Sequence, residues 1–178
     1  MKPESMCLNY DSLRLESAAV TLDPDSITLR PVTPEDYTFL LELYKSSRGD
    51  DLRGLEWEEA RISEFLSMQH EAQQRFHQND HQDATNEVIM HTGVRTGQLM
   101  TERREDELRC IDLAIVPEYR NRGIGSLIIR QLQDEARADC KPLRLQVIRF
   151  NRAVNLFERL GFERTSETGT HFQMEWLP

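Results

Sequence analysis

Two stretches of the 178-residue chain carry residues whose types and spacing could do chemistry. The first is Arg120-Asn121-Arg122-Gly123-Ile124-Gly125-Ser126, two glycines two apart beside two arginines, entering an apolar-periodic run. A chain that leaves a strand here and turns straight into a helix exposes the unpaired N–H groups of the first helical turn. Glycine lets a ligand approach that backbone closely. The chemistry is anion binding, phosphate above all, and Arg120 and Arg122 add charge of the right sign. A plain strand-to-helix turn is the alternative use of the same residues. The second stretch is the apolar run Cys110 to Val116, in which Asp112 is the lone charge. A half-buried carboxylate there has a raised pKa suited to removing a proton, unless an arginine pairs with it and makes it structural.

Two familiar phosphate loops are excluded. A dinucleotide-binding Gly-x-Gly-x-x-Gly needs glycine where the chain has Ile128, and an acidic residue about 20 residues on, where the chain reads Lys141-Pro142-Leu143-Arg144. A Gly-Lys-Ser/Thr loop is absent from the sequence. The three cysteines, Cys7, Cys110 and Cys140, lack metal or disulfide spacing, and His70, His77, His81, His91 and His171 lack that of a metal site. We therefore expect no metal. A net charge of −9 argues against nucleic-acid binding, but the charge is uneven. From Val116 to Arg164 ten Lys/Arg face six Asp/Glu, whereas the rest of the chain is strongly acidic. That split suits an anionic ligand on one side and a cationic one on the other. No apolar run approaches a membrane span and no secretory signal order is visible, so a cytoplasmic protein with no membrane partner is expected.

The elements that must position these residues follow from periodicity. Ser26 to Pro31 alternates as a strand. A helix opens on a capping box, Thr33 with Asp36 and Pro34 at the first position, and is expected to close at Gly49. A second helix is expected from about Trp57 to His77, with Ile62, Phe65, Gln69, Ala72 and Phe76 inward. Gln69 and Gln73, with Met68 and His70, would line a pocket or a solvated face. Three strands follow, Asn86 to His91, Arg95 to Arg103 and Leu108 to Val116, as an antiparallel meander. A helix from Gly123 to about Asp139, a strand Pro142 to Val147, a helix Asn151 to Phe162 stopped by Gly161, and a strand His171 to Trp176 complete the order.

Residues 120–125 and Asn151 to Phe162 together resemble the two signatures of the GNAT superfamily of N-acetyltransferases, Arg/Gln-x-x-Gly-x-Gly/Ala and Asn-x-Ala-x-x-x-Tyr-Glu-x-x-Gly-Phe. The element order from Ile27 to Trp176 is also similar to that family's. The resemblance implies an α/β fold, α and β mixed. It would be a single GNAT-like domain at residues 26–178, with a central, mostly antiparallel mixed sheet of six to seven strands flanked by about four helices. Residues 1–25 would form an N-terminal extension. It implies acetyl-CoA as co-substrate, with the backbone of Ile115 and Val116 pairing with the pantetheine arm. The amides of Asn121, Arg122, Gly123, Ile124, Gly125 and Ser126, beside Arg120, would hold the pyrophosphate, and Asn151 would bond the cofactor arm or simply cap its helix. The implied reaction is direct acetyl transfer to a primary amine, on a small molecule or peptide, by a monomer or homodimer. The alternative is a catalytically silent CoA-binding module. Phe157 stands where the family often has a tyrosine that protonates the departing thiolate. A glutamate often found on the preceding strand falls at Cys110, and the two-residue period predicts that Asp112 shares the face of Cys110 and substitutes as the base.

Overall fold

The computed structural model describes residues 26–52 and 57–178; the expected extension, residues 1–25, lies outside them. The elements run β1 (Ile27–Pro31), α1 (Tyr37–Leu52), α2 (Glu59–Asp80), β2 (Thr85–His91), β3 (Val94–Arg103), β4 (Leu108–Ile115), α3 (Ile124–Ala138), β5 (Leu143–Ile148), α4 (Ala153–Arg159), β6 (Glu163–Thr168) and β7 (His171–Trp176). They form one seven-stranded sheet in the order β1-β2-β3-β4-β5-β7-β6. Every neighbouring pair is antiparallel except β4 with β5. The expected mixed sheet with four helices is therefore present.

Local chemistry explains most boundaries. Asp36 accepts from the Thr33 backbone N–H at 3.0 Å and from both terminal nitrogens of Arg30 at 2.7 and 2.8 Å. The Arg30 guanidinium holds this buried carboxyl well below the usual range. The box opens a single 3-10 turn, Pro34–Asp36, ahead of α1. Contrary to expectation, α1 does not close at Gly49 but continues to Leu52. Glycine stops a helix where it turns left-handed, and here the helical hydrogen-bond pattern persists through it. β6 was unexpected, because its six residues are all exposed and show no apolar alternation.

The two faces of the sheet carry different cores. Leu99, Cys110, Leu143 and Leu145 pack with Ile124, Ile128 and Ile129 of α3 and with Val154 and Phe157 of α4. α1 and α2 pair with each other, and α1 lies against β4. The inward side of α2 differs from the expected stripe: Leu66 and His70 are buried, whereas Gln69, Ala72 and Phe76 are exposed. The buried positions include an imidazole and, beside it, half-buried Gln73 and Gln74. A search for apolar periodicity passes over such a face.

β4 is irregular where it matters. Met100 stands opposite Asp112, but Thr101 stands opposite Cys110, so β4 carries one extra residue. A bulge of this kind breaks the two-residue alternation. Cys110 points into the α3 core, while Asp112 and Ala114 line a cavity with residues of α1 and α2. The expectation that Asp112 shares the face of Cys110 is thereby corrected. Close by, Gly97 lies so near β4 that a Cβ on it would sit 2.3 Å from the Ala114 carbonyl oxygen, and no larger residue fits.

β4 and β5 pair over only three residues, Leu108 to Cys110 against Leu143 to Leu145. Their closed end is held by Glu107, 3% exposed. It is bonded by Arg104 at 3.1 Å and by Arg109 and Arg144 at 2.8 Å each. Burial works against its charge, yet the Arg109 and Arg144 guanidiniums prevail and hold the carboxyl below its ordinary value. Beyond Cys110 the strands part.

Candidate functional site

The open end of β4 leads into the glycine loop. Val116 is fully engaged: its N–H donates to the Thr96 carbonyl at 2.9 Å and its carbonyl accepts from the Tyr119 N–H at 3.0 Å. Strand alternation then turns the N–H and carbonyl of Ile115 to the edge that β5 has left. That carbonyl accepts from Arg120 Nε at 2.8 Å. Of the two residues expected to pair with a cofactor arm, Ile115 is the one whose N–H faces the opening.

After the turn Pro117–Tyr119, Asn121 and Gly123 take left-handed conformations, φ 58° and 91°. Glycine adopts this region freely and asparagine tolerates it. Alternating backbone of this sort turns successive N–H groups toward one concave spot. Gly123 is the N-cap of α3 and offers no side-chain cap, and the first turn holds no acidic residue. The N–H groups of Ile124, Gly125 and Ser126 are among those a helix start leaves without intrahelical acceptors. Ile124, 1% exposed, anchors the helix start in the core, so these amides are fixed in direction. Arg122 lies over the Tyr119 ring at 5.1 Å, keeping its charge at the loop. The residues predicted for anion binding are thus brought together. Their uncapped amides, flanking guanidiniums and open strand edge fit a long ligand with a phosphate group, as CoA would be.

Asn151 lies across the splay, ahead of α4. Its Oδ1, one residue ahead of the N-cap Arg152, accepts from the Ala153 N–H at 2.9 Å. Its Nδ2 has no partner among the described residues. Phe157, 7% exposed, packs on Phe162 with ring centroids 5.7 Å apart and contributes no titratable group.

On the opposite face Asp112 helps line a cavity of about 40 Å³ with Tyr44 and Arg48 of α1, His70 and Gln73 of α2, and Gln98 of β3. Burial raises the Asp112 carboxyl above its ordinary value, and the Arg48 guanidinium and the Leu113 backbone N–H only partly offset it. Burial also raises the Tyr44 hydroxyl, with Arg48 pulling it down and Asp112 adding to the rise. His70 sits between two rings, 5.9 Å from Tyr37 and 5.3 Å from Tyr44, and burial lowers its pKa. Cys110 is pushed up to about 12 by burial and by Asp112, so it is no nucleophile near neutral pH. Gln73 lines the cavity as expected, and Gln69 does not. Sequence reading missed Tyr44, Arg48 and Gln98. The spacing of Tyr44 and Arg48, one helical turn apart, was the available signal, but it is common on any helix.

Fold and loop come first: a mixed sheet splayed beside the uncapped start of a helix. Residues 82–164 match the family model described as acetyltransferase (GNAT) domain. The fold is that of the PaiA N-acetyltransferase of Thermoplasma acidophilum in complex with coenzyme A. The TM-score is 0.66 at 19% identity, covering 86% of this chain and 99% of that one. It is also that of the ribosomal-protein-S18-alanine N-acetyltransferase of Escherichia coli, with a TM-score of 0.57 at 19% identity and 85% and 93% coverage. In sequence the chain is similar to a thialysine N-epsilon-acetyltransferase of Bos taurus, 41% identical over 58 residues. That match covers 32% of this chain and 34% of the relative, so the chain spans about a third of the curated relatives it matches. Over residues 82–164 the chain is similar to the acetyltransferase domain of the GNAT family.

Proposed function

We propose that the chain transfers an acetyl group from acetyl-CoA to a primary amine, on a small molecule or peptide. The observation that carries the reading is the arrangement along β4. Asp112 faces the α1/α2 cavity, and three residues later a strand edge abandoned by β5 runs into the uncapped start of α3. Bound there, acetyl-CoA would supply the activated acetyl group. The amides from Asn121 to Ser126, with Arg120 and Arg122, hold its pyrophosphate, and the Ile115 edge orients its arm.

An alkylamine, with a pKa of about 10.4, arrives protonated and must lose that proton before it attacks. Asp112, raised by burial, accepts it at the cavity lining. The nucleophile is the acceptor's own nitrogen, because Cys110 is a buried thiol and Cys140 is exposed at the far end of α3. Phe157 favours a second reading, a CoA-binding module without catalysis. Free thiol released from acetyl-CoA in the presence of a panel of amines separates the two. Release that depends on an amine supports the enzyme, and tight CoA binding without release from any amine supports the silent module.

A further inference from the structure

The α1/α2 cavity holds a cation that the proposed amine reaction does not use. Arg48 is half-buried, lines the cavity beside Asp112 and lies over the Tyr44 ring at 5.8 Å. Every other half-buried lysine or arginine among the described residues is in an ion pair. Arg48 has no carboxylate within 4.0 Å among them. A half-enclosed guanidinium is costly to leave without an anion. His70, 3% exposed, lines the same cavity from α2. Its Nε2 lies 3.4 Å from the Gln74 amide nitrogen, which assigns the ring proton to Nδ1. That Nδ1 is buried and has no hydrogen-bond partner. Two donors without a hydrogen-bond acceptor among the described residues thus line the cavity together with Asp112, a carboxylate that feels the Arg48 charge but has no cation within 4.0 Å among them.

Resting on the acetyltransferase reading, we infer that the acceptor carries a carboxylate as well as an amine: Asp112 receives the ammonium end and Arg48 the carboxylate of a free amino acid. Such a molecule brings a carboxylate to Arg48, whereas a diamine places a second cation there with no carboxylate beside it. A lysine inside a peptide presents an amide where the carboxylate should be and leaves Arg48 unpaired. The acidic balance of the chain outside residues 116–164 suggests a simple polycation instead, but the cavity itself is lined by a guanidinium.

The test uses the full chain with acetyl-CoA and three acceptors that share one amine: L-lysine, L-lysinamide and 1,5-diaminopentane. Thiol release should give kcat/KM about 10- to 100-fold higher for lysine than for the other two, the range for a charge-assisted contact, with the difference in KM. In Arg48→Gln that preference should collapse toward one, and Arg48→Lys should restore part of it. A circular-dichroism melt confirms that each variant is folded. Equal use of lysine and lysinamide by the parent, or an equal loss for all three acceptors in Arg48→Gln, overturns the inference. If no amine is acetylated, the transfer reading fails by itself, and calorimetry on the CoA-loaded chain still decides this one. Binding of lysine that is stronger than that of 1,5-diaminopentane and is lost in Arg48→Gln upholds it, and equal or absent binding sinks it.

Discussion

Two regions meet at the open end of β4, and they are made of different material. The cofactor side is backbone: the edge of Ile115 and the amides around Gly123, with side chains of Arg120 and Arg122 added at the rim. The acceptor side is side chains, contributed by α1, α2, β3 and β4 around a small cavity. Backbone can bind any pyrophosphate but discriminates little, whereas a wall of Tyr44, Arg48, His70, Gln73, Gln98 and Asp112 can be altered residue by residue. A fold built this way keeps one co-substrate and varies its acceptor.

The largest effect should come from breaking the backbone side. Gly123 sits at φ 91°, a conformation that costs an L-residue about 1–2 kcal/mol, more with a branched Cβ. Gly123→Val should rotate the amides away and weaken CoA binding by at least about 100-fold, near 3 kcal/mol, with the fold retained because the residue is exposed. Calorimetry that finds unchanged affinity in a folded variant rules the loop out as the anion site.

On the side-chain side, Asp112 ties pH to both stability and rate. Its folded pKa is raised by burial, so the neutral acid is the form the fold favours. Its contribution to stability is fully present below the ordinary carboxylate value of about 3.9 and is lost as pH rises through the raised one. Asp112→Asn should therefore melt higher than the parent at pH 7, and the gain should vanish toward pH 3. In the parent, turnover should fall on the acid side as the base is protonated, and the variant should lack that limb. A variant that melts lower than the parent at pH 7 would mean that the charged form is stabilised in the fold.

The smallest effect belongs to Phe157→Tyr. A thiol leaves with a pKa of about 8.5, so an acid helps without being indispensable, and the hydroxyl should change kcat by less than about ten-fold, most at low pH. A gain of two orders of magnitude at all pH values would show that the parent lacks an essential acid and would favour the silent module.

The same contrast governs what the sequence disclosed. A backbone site needs glycine at fixed offsets, so Gly123 and Gly125 announced it, and the loop residues fall together as their spacing implied. The acceptor wall was announced by Asp112 and, on α2, by His70 and Gln73, but not by Tyr44, Arg48 or Gln98. Its partners on α2 are inward but polar, and a search for apolar stripes placed Gln69, Ala72 and Phe76 inside, where Leu66 and His70 belong. The bulge that turns Asp112 away from Cys110 is a pairing property of β3 with β4, and neither strand records it alone. β6 escaped because an edge strand exposed along its whole length has no face to bury. Residue identity fixed where a proton acceptor stands in the chain, but only the register fixed which side of the sheet it serves.

The claim that the two sides are separable is tested most directly by measuring CoA affinity and thiol release together on Asp112→Asn. The account predicts that kcat with a competent amine falls roughly 10²–10⁴-fold, the range of a lost general base, while CoA affinity stays within about two-fold of the parent. Turnover within a few-fold of the parent, or a matching loss of CoA affinity, would contradict it and return Asp112 to a structural role.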